Sequence, residues 1–362
     1  MIPIMEPDLS GNERKYLIDA FDSGWISSKG KYVEQLENGL AAYHDADHVL
    51  AVSNGTVALH LGMVSLGIGP GDEVIVPNLT FAASLNTVIH AGATPVLAEV
   101  DQETYNIDCR KIEKYISSKT KAIMAVHLYG NPCNMELIQA IAKQHDLLII
   151  EDNAEGLGST YGTRKTGSIG DIGTFSFYGN KTITTGEGGA IIFKSKEVYE
   201  HAKVLRDHGM SPEKRYWHEY IGYNYRLTNI QAAIGCAQLE RLDHILNKKR
   251  NIADQYISEL SSVDSIRFQK SLGNSTNSHW LFTPLFHNLS RDKLGIYLQK
   301  NGVESRPAFY PMSEMPAYSK YVKEDYSISE SIAKSGLSLP SFPSLSEKEI
   351  DLITKTIKKF YE

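Results

Sequence analysis

Cysteine is scarce in this 362-residue chain: Cys109, Cys133 and Cys236 stand far apart. That leaves neither a disulfide framework nor a CxxC metal site, and the expected compartment is the reducing cytoplasm. No run of 18 or more apolar residues occurs, so no membrane-spanning helix is expected. The opening MIPIMEPDLSGNERKYL lacks a basic stretch followed by an apolar one, so no secretory signal is expected either. Positive charge is also short, with 37 Lys and Arg against 43 Asp and Glu and a formal net charge of −6. This argues against nucleic acid or an anionic membrane as partner, since both call for a basic surface. The twelve histidines include no HExxH, which speaks against a metal hydrolase, and no metal is expected.

The chain does have enough apolar material for a large core. At 42% hydrophobic and 22% charged residues it reads as an ordinary globular protein of two domains, with 1–250 the larger and 251–362 the smaller. From about residue 48 to 195 the short runs HVLAV, EVIVP, PVLAEV, KAIMAVHLY and LLIIED alternate with amphipathic stretches such as TVALHLGMVSLG and NMELIQAIAKQH. This is the form of βα units around a mostly parallel sheet, whose strands are buried on both faces and so are apolar throughout. Two further strands are expected at 172–177 and 190–194. A long helical region, LTNIQAAIGCAQLERLDHILNKKRNIADQYISEL, follows them, and then a smaller α+β part containing HWLFTPLF, RDKLGIYLQKNG and EKEIDLITKTIKKFYE.

In open α/β sheets ligands bind beyond the carboxyl ends of the strands. After HVLAV come Ser53, Asn54, Gly55 and Thr56 at the start of a helix, which reads either as an ordinary N-cap or as an anion site built from free N–H groups. After EVIVP comes Phe81, a core residue or a ring at the sheet edge. After LLII come Glu151 and Asp152, acids that are costly at the end of a buried strand unless they meet a partner. Ser176 ends the next strand, and Lys181 follows in Gly179-Asn180-Lys181-Thr182, which lacks the spacing of a GxxxxGK[ST] phosphate loop. Lys181 is either a solvated surface charge or an imine-forming nucleophile whose pKa is lowered by its setting. Together these are the parts of a pyridoxal 5′-phosphate site: anion-binding helix start, stacking ring, carboxylate for the pyridinium nitrogen, and Schiff-base lysine.

The ordered segments SNGTVALHL, PNLTFAAS, IEDNAEGLGS, GDIGTFSFYGNKTITTGEGG and GYNYRLTNIQAAIGCAQLERL resemble the DegT/DnrJ/EryC1/StrS sugar aminotransferases, and the resemblance runs from SGWISSKGKYVEQLE to ESRPAFYP. It implies the fold-type I, aspartate aminotransferase-like α/β architecture. It also implies that Lys181 bonds the cofactor, that Asp152 partners the pyridine nitrogen, that Phe81 stacks on the ring, and that Gly55, Thr56 and Ser176 hold the phosphate. Asn224, in GYNYR, would reach the phosphate of a neighbouring subunit, making a homodimer with shared active sites. Glu155 falls near the cofactor, Arg306 and Tyr310 in the substrate-facing segment, and Lys29, Lys31, Arg215 and Arg306 around one cleft for a nucleotide diphosphate. The reaction implied moves the amine of L-glutamate to a keto-sugar, with C4 of GDP-4-keto-6-deoxy-D-mannose the expected acceptor. Ser313 stands where that branch carries a histidine in PxHxxP, which keeps open another nucleotide-linked 4-ketohexose or a free 8-keto octulosonate-type sugar acid. A sugar dehydratase of this fold would replace Lys181 by histidine, and a regulator would need a DNA-binding module for which no residues are spare.

Overall fold

The computed structural model describes residues 1–288 and 290–362. Each apolar run of the first half forms a strand: β1 (His48–Val52), β2 (Glu73–Pro77), β3 (Thr94–Ala98), β4 (Thr120–Val126), β5 (Leu148–Asp152), β6 (Ile172–Ser176) and β7 (Gly189–Phe193). They make one sheet in the order β1-β7-β6-β5-β4-β2-β3, parallel from β3 through β6, with β7 antiparallel to both of its neighbours. The continuous apolar character follows from burial on both faces. On β1, Leu50 and Val52 enter a core shared with α3 (Gly55–Ser65) and α6 (Lys196–Arg206). Val49 and Ala51 enter a different core, shared with α2 (Lys31–His44) and α7 (Asn229–Leu239).

The long helical region is two helices, α7 and α8 (Leu242–Leu260), broken at Glu240 and Arg241. Neither glycine nor proline causes the break. Arg241 leaves helical geometry at φ −110°, ψ 5°, and its guanidinium makes two hydrogen bonds of 2.9 Å to the Asp8 carboxylate of the N-terminal segment. The C-terminal part has its own core, built from Ile252, Tyr256 and Leu260 of α8, Leu294 and Leu298 of α9 (Arg291–Lys300), and Ile350, Ile353 and Ile357 of α11 (Glu347–Tyr361). Ile2 packs into it. HWLFTPLF contributes only the two-residue strand Leu285–Phe286, which pairs with Ile266–Arg267. Among the described residues no helix is long and apolar enough to cross a membrane.

Strand alternation separates the two acids at the end of β5, because successive side chains point to opposite faces. Glu151 is fully buried and accepts hydrogen bonds from His127 Nε2 (3.0 Å) and from the backbone N–H groups of Gly167 (2.8 Å), Ile169 (2.6 Å) and Gly170 (2.7 Å). It is thereby the anchor of the loop leading into β6. Burial pushes its carboxyl up, but His127 and the amides outweigh burial and hold it below the ordinary 4.5. Its stabilisation is therefore present above the unfolded pKa and lost as pH falls through the folded one. Glu151→Ala leaves several buried donors without an acceptor and should lower the unfolding free energy by about 3–5 kcal/mol. The measurement is urea unfolding near pH 7, and a loss under about 1 kcal/mol would contradict the account. The acid-side decline of stability below pH 4.5 should also be shallower in the variant than in the parent.

Candidate active site

A cavity of about 590 Å³ opens where the carboxyl ends of β4, β5 and β6 meet the start of α3. The register builds it. Val52 of β1 and Ser176 of β6 both lie opposite Gly189 of β7, so the residues after β1 arrive beside the end of β6. Gly55 makes that approach possible, since a Cβ there would stand 2.7 Å from Ser176 Cβ. Asn54 is a true N-cap, its Oδ1 accepting from Val57 N at 3.0 Å, a contribution of about 1 kcal/mol. The amides of Gly55 and Thr56 precede the first intrahelical bond and line the cavity. The N-cap reading of SNGT is met by Asn54, and Gly55 and Thr56 stand at the cavity wall.

Asp152, on the other face of β5 from Glu151, is buried and lines the same cavity. Its Oδ2 accepts from Ser84 Oγ at 2.7 Å and its Oδ1 from Ala154 N at 3.2 Å. Phe81 precedes α4 (Ala82–His90), is 57% exposed, and shows its ring to the cavity. Lys181 sits in the connection between β6 and β7, its side chain 13% exposed, with Nζ 3.7 Å from Glu155 Oε1. Burial lowers the Lys181 pKa, opposed by the charges of Glu155 and Asp152. The Glu155 carboxyl is pushed up to about 7 by burial, opposed by Lys181 and by the Tyr129 amide, which donates to its Oε2 at 2.7 Å. Both groups are thus driven towards their neutral forms by a poorly solvated cavity.

Of the residues singled out from the sequence, Gly55, Thr56, Phe81, Asp152, Glu155, Ser176, Lys181 and Arg306 line this one cavity. The expectation that four cations surround one cleft is corrected for the single chain. Lys29 and Lys31 line a separate cleft with Trp25 and Asn229, and Lys31 Nζ is 2.7 Å from Asp19. The packing of α2 on α7 sets them there: Gly30 lies so close to Asn229 that a Cβ would meet its Cγ at 2.3 Å. Arg215 is exposed on a strap bridged by Asp207–Asn224 and Met210–His218 contacts, its Cζ 4.9 Å from the Tyr216 ring centroid. Asn224, on the same strap, is exposed and accepts from Arg226 Nε at 3.1 Å. Tyr310 is half-exposed, 5.9 Å from Arg291 Cζ, and Ser313 is bonded to Asn78 rather than lining the cavity.

Sequence reasoning missed Ser84, Tyr129, Trp280 and Phe309. Ser84 sits one helical turn beyond Thr80 and could have been read from PNLTFAAS, but Trp280 lies about a hundred positions from the lysine it covers, and no local pattern links them. No group of three or more His, Cys, Asp or Glu side chains placed to hold a metal occurs among the described residues. The lining suits pyridoxal 5′-phosphate: a helix start, an exposed ring, a buried carboxylate and a lysine with depressed pKa meet in one cavity.

Residues 7–358 match the DegT/DnrJ/EryC1/StrS aminotransferase family. The chain is similar to the GDP-perosamine synthase of Escherichia coli O157:H7, at 46% identity over 99% of this chain and 98% of that protein. It is also similar to the GDP-perosamine synthase of Vibrio cholerae, at 44% identity over 100% of this chain and 99% of that one. Among solved structures, Spr1654 of Streptococcus pneumoniae in its PLP-form superposes with a TM-score of 0.94 at 30% identity, covering 99% of this chain and 98% of that chain.

The carboxylate of Glu155 favours the ammonium form of Lys181, so removing that charge should depress the lysine further. In the cofactor-free protein, Glu155→Gln should lower the titration midpoint of Lys181 by about one pH unit. The midpoint is read from the pH dependence of acetylation of the Lys181 peptide by mass spectrometry. An unchanged or raised midpoint would refute the coupling.

Proposed function

From the premise that the chain belongs to the DegT/DnrJ/EryC1/StrS aminotransferase family and works as a sugar aminotransferase with pyridoxal 5′-phosphate, we propose that it transfers the amine of L-glutamate to C4 of GDP-4-keto-6-deoxy-D-mannose, giving GDP-perosamine. Near-full-length similarity to proteins named GDP-perosamine synthase supports that acceptor. The convergence of Lys181 and Asp152 on one cavity supports the roles that follow.

The amides of Gly55 and Thr56, with the hydroxyls of Thr56 and Ser176, would hold the cofactor phosphate at the positive end of α3. Phe81 would cover one face of the ring. Asp152, oriented by Ser84, would keep a proton on the pyridine nitrogen, and Glu155 would be a polar neighbour of the cofactor. When bound, the cofactor supplies a carbon that exchanges amines and a ring that accepts an electron pair. Lys181, in the same cavity, would hold the cofactor through Nζ. Nζ would also be the base that takes a proton from the substrate carbon, a task suited to an amine whose pKa burial has lowered.

The proposed assembly is a cytoplasmic homodimer in which Asn224 reaches the phosphate of the neighbouring site. Exposed apolar side chains favour it: Ile18, Phe21, Trp25 and Ile26 in and after α1 (Glu13–Asp22), and Tyr216, Trp217, Tyr220 and Ile221 on the strap. Lys29, Lys31 and Arg215 would then face a nucleotide diphosphate across the interface, while Arg306 and Tyr310 stand on the substrate side of the chain's own site. Ser313 favours a second reading of the acceptor alone, another nucleotide-linked 4-ketohexose or a free keto sugar acid, because it holds the segment next to Arg306 with a serine in place of histidine.

Mixing equal amounts of inactive Lys181→Ala and inactive Asn224→Ala chains should restore about a quarter of the parent activity. Half of the chains enter heterodimers, each with one intact site. No recovery after verified exchange would remove Asn224 from the partner's site. The acceptor is tested by screening keto-sugars against the protein in its aminated form. Arg306→Ala should raise the KM for GDP-4-keto-6-deoxy-D-mannose by about 10–100-fold while leaving the glutamate half-reaction within about twofold. Turnover of a free sugar acid but of no nucleotide-linked ketosugar would overturn the assignment.

A further inference from the structure

A second charge partner for Lys181 comes from the C-terminal part of the chain. The Lys181 amine lies 3.8 Å from the ring centroid of Trp280, well inside the range of a cation–π contact, and Glu155 Oε1 is 3.7 Å from the same amine. The indole is 4% exposed and fixed from two directions. Its Nε1–H donates to the carbonyl of Asn180 at 2.7 Å, so the ring is tied to the backbone immediately before the lysine it covers. Tyr129 stacks against it at 6.4 Å between centroids with an interplanar angle of 18°. The same Tyr129 donates its backbone N–H to Glu155 and accepts at its hydroxyl from Phe309 N at 3.0 Å. Indole, carboxylate and amine are thereby held by one connected set of bonds.

We infer that Trp280 is a positioning residue for the transamination: its indole face aims the freed Lys181 Nζ into the cavity and shares its positive charge with Glu155 while the amine carries a proton. The inference rests on the role proposed for Lys181 and adds to it a residue outside the helix-start, strand-end and loop positions considered above. An ammonium in a dry cavity is costly unless partnered. Glu155, itself driven towards neutrality, supplies only part of that partnership. A π face supplies the remainder without offering a proton-accepting atom that would compete with substrate for the proton. A purely structural role predicts instead that any side chain of similar bulk serves as well.

The test compares Trp280→Phe and Trp280→Leu with the parent. In the cofactor-free protein, Trp280→Leu should lower the acetylation midpoint of Lys181 by about one pH unit, whereas Trp280→Phe, which keeps a ring, should stay within about half a unit. The donor half-reaction near neutral pH should slow about tenfold in Trp280→Leu at nearly unchanged KM for glutamate, and Trp280→Phe should recover most of the rate. If Trp280→Leu does not fold by circular dichroism, Trp280→Met fills the space without a π face and replaces it. An unchanged midpoint in the folded variant overturns the inference. So does a raised midpoint, the sign expected if the substitution merely admits water. Retained turnover in Lys181→Ala would instead sink the proposed role of the lysine, and the midpoint comparison reads Trp280 independently of that role.

Discussion

A lysine amine kept out of water beside a buried carboxylate is the constraint around which this molecule is arranged. Lys181 and Glu155 face each other at 3.7 Å, each drawn towards neutrality by burial and each stabilising the other's charge. Burial thus works against both charges of the pair, and their mutual attraction works for them. The pair exists because the connection between β6 and β7 folds back over the sheet edge instead of continuing into a helix. Insertion of the antiparallel β7 between β1 and β6 makes that return possible.

The same sheet edge sends two neighbouring charges to different surroundings. Glu151 and Asp152 are adjacent in sequence, yet one closes the loop into β6 with His127 and backbone amides, and the other meets Ser84 on the cavity side. The two carboxylates diverge because strand alternation gives them different neighbours. Gly55 and Gly189 keep the backbone of β7, the start of α3 and the end of β6 close enough for the helix amides to face the cavity.

The C-terminal part is fastened over this edge by polar clamps. Asn78, fully buried at the end of β2, donates through Nδ2 to Ser313 Oγ and accepts at Oδ1 from Ser313 N and at its carbonyl from Met312 N. Glu99, beyond β3, accepts from the backbone N–H groups of Ile328 and Ser329 at the start of α10 (Ser327–Ser335), a carboxylate set at the positive end of a helix. Tyr318 Oη donates to Asn86 Oδ1 at 2.9 Å. Between these clamps and the short pairing of Arg306–Pro307 with Leu337–Ser338, the segment bearing Arg306 and Phe309 is carried to the cavity wall.

The strands were legible in the sequence because burial on both faces leaves a continuous apolar signature, and Asp152 and Ser176 could be placed at the sheet edge because they end such runs, with Lys181 in the connection that follows. Gly55, Thr56 and Phe81 could be placed by the same rule, since the carboxyl ends of parallel strands share one edge. Other features had no local signature. The break between α7 and α8 depends on Arg241 finding Asp8, more than two hundred positions earlier. The division of labour between Glu151 and Asp152 depends on which face each meets, and the separation of Lys29, Lys31 and Arg215 from the cavity depends on how α2 and the strap pack. Trp280 is the clearest case, because only chain reversal across the whole molecule lays its ring on Lys181. By itself, then, the sequence determined the sheet and the residues at its edge, whose periodicity and position are local properties of the chain. The tertiary structure decided which charge faces which partner, because that pairing is made across distances that no local pattern records.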